Sequence, residues 1–332
     1  MEQAYRAFRV NQDEQGFRTG IETMQRANLP EGDVTVRVHY SSVNYKDGLA
    51  SIPDGKIVRS YPITPGIDLA GEVLESSDSR YQLGDLVLCT GYGLGVSHDG
   101  GLADVARVPS DWLVRVPEGL TSLETMAIGT AGFTAALSVD RLIVNGLTPD
   151  SGPVVVLGAS GGVGSMAVSI LGKLGYHVVA VTGKMHVNEK LRALGAVEVI
   201  DREEAMAGGK GPLSKEQWAA VVDPVGGAVT GEVLKKIRYG GSVAISGLTG
   251  GTKIDTTVFP FILRGVNLLG IDSVLCPMPL RSNMWQRLAG DWKPVTALAE
   301  GVTEFPLERV SEALSTVLAG QAVGRQVINL MK

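Results

Sequence analysis

Apolar and polar positions alternate over residues 34–40, with Val34, Val36, Val38 and Tyr40 on one face and Thr35, Arg37 and His39 on the other. This is the period of a half-buried strand. Short apolar runs at residues 71–75, 85–89 and 103–108 predict further strands, and their spacing suggests a compact, largely β domain. The pattern changes near Thr121. Thr121-Ser122-Leu123-Glu124 has the spacing of a capping box, and Thr134 falls on a later helical stretch. Val154, Val155, Val156 and Leu157 form a buried-strand run, Gly158 to Gly164 a glycine-rich turn, and Ala167, Ile170, Leu171 and Leu174 recur at helical spacing. Residues 177–181 then read as the next strand, completing a right-handed βαβ unit. The alternation continues through residues 191–194, 221–223, 233–234, 243–245 and 268–271. A doubly wound parallel sheet is the economical reading of residues 125–272. A last helix signal (residues 307–314) and a last strand (residues 325–330) need a sheet to join. We therefore expect an α/β fold in which residues 1–124 and 273–332 form one largely β domain, with 125–272 inserted in it. Residues 207–212, rich in Gly and ending in Pro, are the expected mobile surface loop.

A length of 332 residues favours two domains, and 44% hydrophobic with 20% charged residues supports large cores. Aromatic residues are only 5% and the net charge is −5 with no legible basic face, which argues against nucleic-acid binding. The N-terminus lacks the apolar stretch of a signal peptide, and no run approaches the roughly 18 apolar residues of a membrane span. Two isolated cysteines, Cys89 and Cys276, read as cytosolic, although their number alone leaves a disulfide open. The expected location is the cytoplasm.

The turn Ala159-Ser160-Gly161-Gly162-Val163-Gly164 matches a dinucleotide fingerprint with Ala in place of its first Gly. Gly161 admits the pyrophosphate to the backbone, Gly164 lets helix and strand approach, and the helix N-terminus favours the anion. A glycine-rich turn is often only a turn; here it follows a strand, opens a helix and a second strand returns. NAD sites carry a carboxylate about 20 residues beyond the last Gly. This chain has Thr182-Gly183-Lys184 instead, with Arg202 at the end of the following strand-like segment. A hydroxyl and two cations suit a 2′-phosphate, so NADPH is the expected cofactor; the competing reading of Lys184 is a solvated surface lysine.

The four histidines (His39, His98, His177, His186) and the two cysteines show no metal-ligand spacing, and no metal site is expected. Without a Lewis acid, alcohol oxidation is disfavoured, and a substrate already activated by conjugation is indicated.

Val43-Asn44-Tyr45-Lys46-Asp47, Pro65-Gly66-Ile67-Asp68-Leu69-Ala70-Gly71, Gly129-Thr130-Ala131-Gly132-Phe133-Thr134-Ala135 and the turn from Gly158 to Gly164 occur in that order. Together they resemble the zinc-free quinone oxidoreductase branch of the medium-chain dehydrogenase/reductase superfamily. Gly270-Ile271-Asp272-Ser273-Val274, Cys276-Pro277, Arg281 and Val323-Gly324-Arg325 resemble its YhdH/YhfP-type group, which includes acryloyl-CoA reductases. The resemblance covers essentially the whole chain. It implies a GroES-like β-rich catalytic domain, an inserted Rossmann domain and a homodimer. Zinc-dependent relatives carry Cys where this chain has Asn44-Tyr45 and a His-Glu pair where it has Ile67-Asp68.

On this reading hydride passes to the β-carbon of an enone, a quinone or a CoA thioester, leaving an enolate to be stabilised and protonated. Asn44 is placed to bind the carbonyl or the nicotinamide ribose. Tyr45 is a proton donor or an aromatic wall of the pocket, and solvent is an alternative acid. Asp68 orients Asn44 or Lys46, or is structural; Asp47 is similar. Thr130 and Thr134 contact the nicotinamide or cap a helix, and Gly247, Leu248 and Thr249 lie along it. Arg281 and Arg325 are phosphate contacts, for CoA or the cofactor, or ion-pair partners. Met278, Met284 and Trp285 wall the pocket or pack the core. The expected activity is an NADPH-dependent reductase of activated C=C bonds. The alternatives are an NADPH:quinone oxidoreductase and an NADPH-binding protein without significant turnover.

Overall fold

The computed structural model describes residues 4–208 and 211–332, so Gly209 and Lys210 of the expected surface loop lie outside the described residues. The chain divides into two compact units. One comprises residues 1–130, 274–289 and 302–332, the other residues 131–273 and 290–301.

In the first unit, the sheet is built on strand Val34–Val43, which pairs antiparallel with Asp68–Ser76 and with Val105–Val108. Asp68–Ser76 continues the sheet to Leu86–Thr90, and that strand to Leu113–Arg115. The returning strand Arg325–Asn329 joins the other side of Val34–Val43, antiparallel, and carries Val302–Pro306 parallel beside it. The chain's end thus finds its sheet in the first unit. Val34, Val36, Leu69, Val73, Val87, Val108, Leu314 and Ile328 meet in its core. A hairpin of Ala4–Asp13 with Gly16–Gln25 precedes this sheet and shows no apolar alternation in its second, mostly exposed strand. Sequence periodicity gives no sign of it. The helix Tyr45–Ala50 is likewise too short, at six residues, to display a helical period.

In the second unit the six strands are, in chain order, Val154–Val156, Val178–Val181, Glu198–Ile200, Trp218–Asp223, Ile237–Ile245 and Asn267–Gly270. All neighbours are parallel, and their spatial order is third, second, first, fourth, fifth, sixth. That order is the doubly wound Rossmann topology. It places the switch point between Val154–Val156 and Trp218–Asp223, beside the glycine-rich turn. Residues 290–301 pack with this unit, where Lys173 Nζ donates to the carbonyls of Gly290 and Lys293 at 3.3 and 3.1 Å.

Thr121 and Glu124 form the expected capping box: Glu124 N donates to Thr121 Oγ1 and Thr121 N to Glu124 Oε2. The helix they open, Ser122–Val144, is interrupted at Gly129 (φ 49°, ψ −160°). By length and composition this helix passes as a membrane span, but most of its apolar window is buried inside the protein, as in a core helix. Cys89 and Cys276 are buried free thiols.

Candidate functional site

Asn44 follows strand Val34–Val43 and caps helix Tyr45–Ala50, while Asp68 opens the neighbouring strand. The pairing of these strands brings the two side chains together, and Asn44 Nδ2 donates to Asp68 Oδ2 at 2.8 Å. Asp68 is fully buried. Its Oδ2 also accepts from Ser42 Oγ and from Thr130 N (2.8 Å), and its Oδ1 accepts from Thr130 Oγ1 (2.5 Å). The break at Gly129 releases the Thr130 N–H from the helical ladder and aims it at this carboxylate. Only glycine fits there, because a Cβ would lie 2.4 Å from Ser42 Oγ and 2.8 Å from Asp68 Oδ2.

Asp47, also fully buried, accepts from the backbone N–H groups of Asn44 and Ile67, both at 2.8 Å. Burial and the neighbouring Asp68 push its carboxyl up to about 7, against the pull of those two donors. Tyr45, the next residue after Asn44, is 38% exposed.

Arg325 and Arg281 depart from expectation. Arg325 is buried, and its guanidinium donates to the carbonyls of Ala127 (3.0 Å) and Val43 (3.4 Å) and to Asn44 Oδ1 (3.3 Å). It therefore supports Asn44 from inside and is closed to a cofactor or CoA phosphate. Burial lowers its pKa, while Asp68 and Asp47 oppose that shift. Arg281 is also fully buried. Its Nη1 donates to the carbonyl and hydroxyl of Thr90 (2.8 and 2.9 Å), its Nη2 to the carbonyl of Val274 (3.1 Å), and its Cζ lies 4.5 Å from the Tyr92 ring centroid. A guanidinium so enclosed ties strand to helix and is not a substrate contact. Met284 and Trp285 are likewise core residues.

The second unit holds the other expected cluster. Val154–Val156 runs into the turn, and helix Gly162–Lys173 opens with Gly161 as a cap that supplies no side-chain bond. Its first N–H groups have no intrahelical acceptor and suit an anion. A Cβ on Gly164 would lie 2.3 Å from the Gly158 carbonyl oxygen, whereas at Gly161 the nearest atom stands 3.4 Å away. Gly164 thus serves close packing and Gly161 leaves room, as a dinucleotide cradle requires. Thr182 Oγ1 donates to Ser160 Oγ and accepts from Lys184 N, each at 3.0 Å. Arg202 stands against Gly183, since a Cβ there would lie 3.1 Å from the Arg202 Cζ. Burial and the Arg202 charge lower the Lys184 pKa. Two cations that feel one another's charge beside the Thr182 and Ser160 hydroxyls fit a phosphate monoester.

Gly247 and Leu248 line a shallow recess of about 520 Å³ with Ile245, Ser246, Gly270, Ile271 and Asp272. Gly247 lies directly on Pro224, and Leu248 is exposed. Thr249 follows in the same loop. Thr134 is buried in the helix beyond the Gly129 break. Two residues escaped the sequence reading. Ser42 is a polar residue continuing an apolar strand face, and Asp223 ends the apolar run from Ala219. Asp223 is fully buried and fixes the loop beside the switch point, accepting from Val225 N and Gly226 N (2.8 Å each) and from Thr230 Oγ1 (2.5 Å). Among the described residues no group of three or more His, Cys, Asp or Glu is arranged to hold a metal ion.

Residues 30–118 match the alcohol dehydrogenase GroES-like domain family, and residues 162–290 the zinc-binding dehydrogenase family. YhfP of Bacillus subtilis, named as a candidate quinone oxidoreductase, is 50% identical over 99% of this chain and all of its own. Its structure, with NAD bound, superposes with a TM-score of 0.96 over 99% of this chain and 100% of that one. The acrylyl-CoA reductase AcuI of Ruegeria pomeroyi is 48% identical over 98% of this chain and 99% of its own. The YhdH oxidoreductase of Salmonella enterica, solved with NADP, is 46% identical with a TM-score of 0.94, over 98% of this chain and 99% of that one.

Proposed function

Because the chain belongs to the medium-chain dehydrogenase/reductase superfamily, in its YhdH/YhfP-type group, we propose that it is an NADPH-dependent, zinc-independent reductase of activated carbon–carbon double bonds. Acryloyl-CoA-like thioesters and related enones are the acceptors. The observation that carries this reading is the Asn44 side chain, held at both ends by Asp68 and Arg325. An amide and a carboxylate held in this hydrogen-bond network are not the thiolate and imidazole donors that zinc prefers. They form an oriented polar site suited to an acceptor that needs no metal activation.

NADPH, when bound, supplies the hydride. The turn Ala159-Ser160-Gly161-Gly162-Val163-Gly164 holds its pyrophosphate, and Thr182, Lys184 and Arg202 its 2′-phosphate. Asn44 Nδ2 carries two hydrogens; one is committed to Asp68, and the other is a donor for the developing enolate oxygen. Tyr45, half exposed beside it, is the proton source or the wall against which the acyl chain rests. Thr130, whose hydroxyl and N–H both serve Asp68, takes the role of fixing that carboxylate in place of contacting the nicotinamide. The same reading makes the protein a cytoplasmic homodimer.

The test is consumption of NADPH, followed by its absorbance, with acryloyl-CoA, a simple enone and a benzoquinone in parallel, and NADH as control. Turnover confined to NADPH and the thioester or enone is expected. Turnover mainly on benzoquinone moves the assignment to a quinone reductase. NADPH binding without turnover on any acceptor supports a non-catalytic role. For the cofactor itself, Lys184→Ala is expected to weaken NADPH binding about tenfold and to leave NADH binding nearly unchanged. Equal losses for the two cofactors would remove Lys184 from the 2′-phosphate site.

A further inference from the structure

Lys236 is 1% exposed, and nothing in the proposed reaction uses it. Its main chain is fixed at the entry to strand Ile237–Ile245: its N–H donates to the Val233 carbonyl, and its own carbonyl accepts from Gln217 N and Trp218 N. Its side chain crosses the buried Trp218, with Nζ 5.1 Å from the ring centroid, and donates to the carbonyl of Ala205 at 2.5 Å. Ala205 belongs to the helix Arg202–Met206. An ammonium in such a place is costly, and a methionine would fill much the same volume without desolvation. Packing therefore does not account for the charge.

The helix it reaches has five residues, far too few to hold its shape unaided. Its first turn is fixed by Asp201, whose Oδ1 accepts from Glu204 N at 2.8 Å. Its last carbonyls are among those a helix leaves without intrahelical donors, and Lys236 supplies one. One turn back along the same helix stands Arg202, beside Gly183 and close enough to Lys184 to depress its pKa.

We propose that Lys236 is a positioning residue for the 2′-phosphate site: by tying down the far end of helix Arg202–Met206 it holds Arg202 beside Lys184, and so sustains the preference for NADPH over NADH. This rests on the reading of Lys184 and Arg202 as phosphate contacts, and the experiment separates the two claims.

Dissociation constants for NADPH and NADH are measured by the fluorescence of the reduced nicotinamide for the full-length protein and for Lys236→Met, Lys236→Arg and Arg202→Gln, alongside melting temperatures. Arg202→Gln is expected to weaken NADPH about tenfold with NADH little changed. Lys236→Met is expected to produce a selective loss of the same kind, between about threefold and tenfold, and Lys236→Arg to restore most of it. Selective loss in Arg202→Gln with equal or no losses in Lys236→Met overturns the proposal and leaves the phosphate site standing. No selectivity in Arg202→Gln removes the phosphate site and the proposal with it. Should Lys236→Met fail to fold, Lys236→Gln, neutral and shorter, carries the same comparison.

Discussion

Asp47 and Asp68 are two fully buried carboxylates near one another, with Arg325 the cation that faces both. Their energetics are visible in pH. Asp47 is raised from an ordinary carboxylate value of 3.8 to about 7 in the folded protein. The folded state therefore holds its proton more tightly than the unfolded chain. The stability this contributes is fully present below the unfolded pKa and is lost as pH rises through the folded one. We expect the melting temperature of the wild type, measured relative to Asp47→Asn, to fall between about pH 4 and about pH 7. A constant difference across that range would show that Asp47 is ionised throughout. Arg325 gives a second prediction. Arg325→Gln should lower kcat about tenfold or more, because Asn44 loses its anchor, while the Kd for NADPH stays unchanged. A weaker NADPH complex would return Arg325 to the cofactor site that its motif suggests. The sequence names Asn44, Asp68 and Arg325 by their motifs, but burial alone distinguishes an internal support from a phosphate contact. For Arg325 and Arg281 that information lies in strands and helices distant in the chain.

At the scale of elements, the kink at Gly129 decides whether the network forms. Its backbone conformation is one that side-chain-bearing residues avoid, and the space a Cβ would need is filled by Ser42 and Asp68. Gly129→Ala is therefore expected to destabilise the protein by about 2 kcal/mol or more and to depress turnover, even though the change adds one methyl group to a helix. A denaturant midpoint and kcat within error of wild type would refute the strain argument. The two periods of the chain made much of the fold legible. Apolar alternation marked the strand Val34–Val43, and strand–turn–helix order marked the inserted parallel sheet, whose strand order then follows the doubly wound rule. Elements without a period stayed hidden. The hairpin Ala4–Asp13 with Gly16–Gln25 is solvated over much of its second strand, and the helix that positions Tyr45 has less than two turns. The kink itself has no periodic signature, because its cause is a carboxylate from a strand some sixty residues earlier.

For the whole molecule, the unfinished feature is the edge of the parallel sheet. Among the described residues, strand Asn267–Gly270 pairs only with Ile237–Ile245, on one side, so its outer row of N–H and C=O groups is open to another strand. Nearby in sequence, the helix Phe259–Arg264 exposes Ile262 at 68% and Leu263 at 57%, and Val258 and Leu268 are exposed as well. An open apolar edge of this kind is an aggregation hazard for a monomer and a self-complementary surface for a two-fold dimer. In the homodimer proposed above, a second copy of the chain paired strand to strand across a two-fold axis would cover both features at once. Light scattering after gel filtration should return twice the mass of the chain. Ile262→Lys combined with Leu263→Lys should shift it to the monomer, because two desolvated ammonium groups on each side of the axis oppose closure. The melting temperature of the wild type should also rise with protein concentration, whereas that of the double variant should not. A wild-type chain that elutes at monomer mass over the same concentrations would leave this edge to some other partner and remove the dimer.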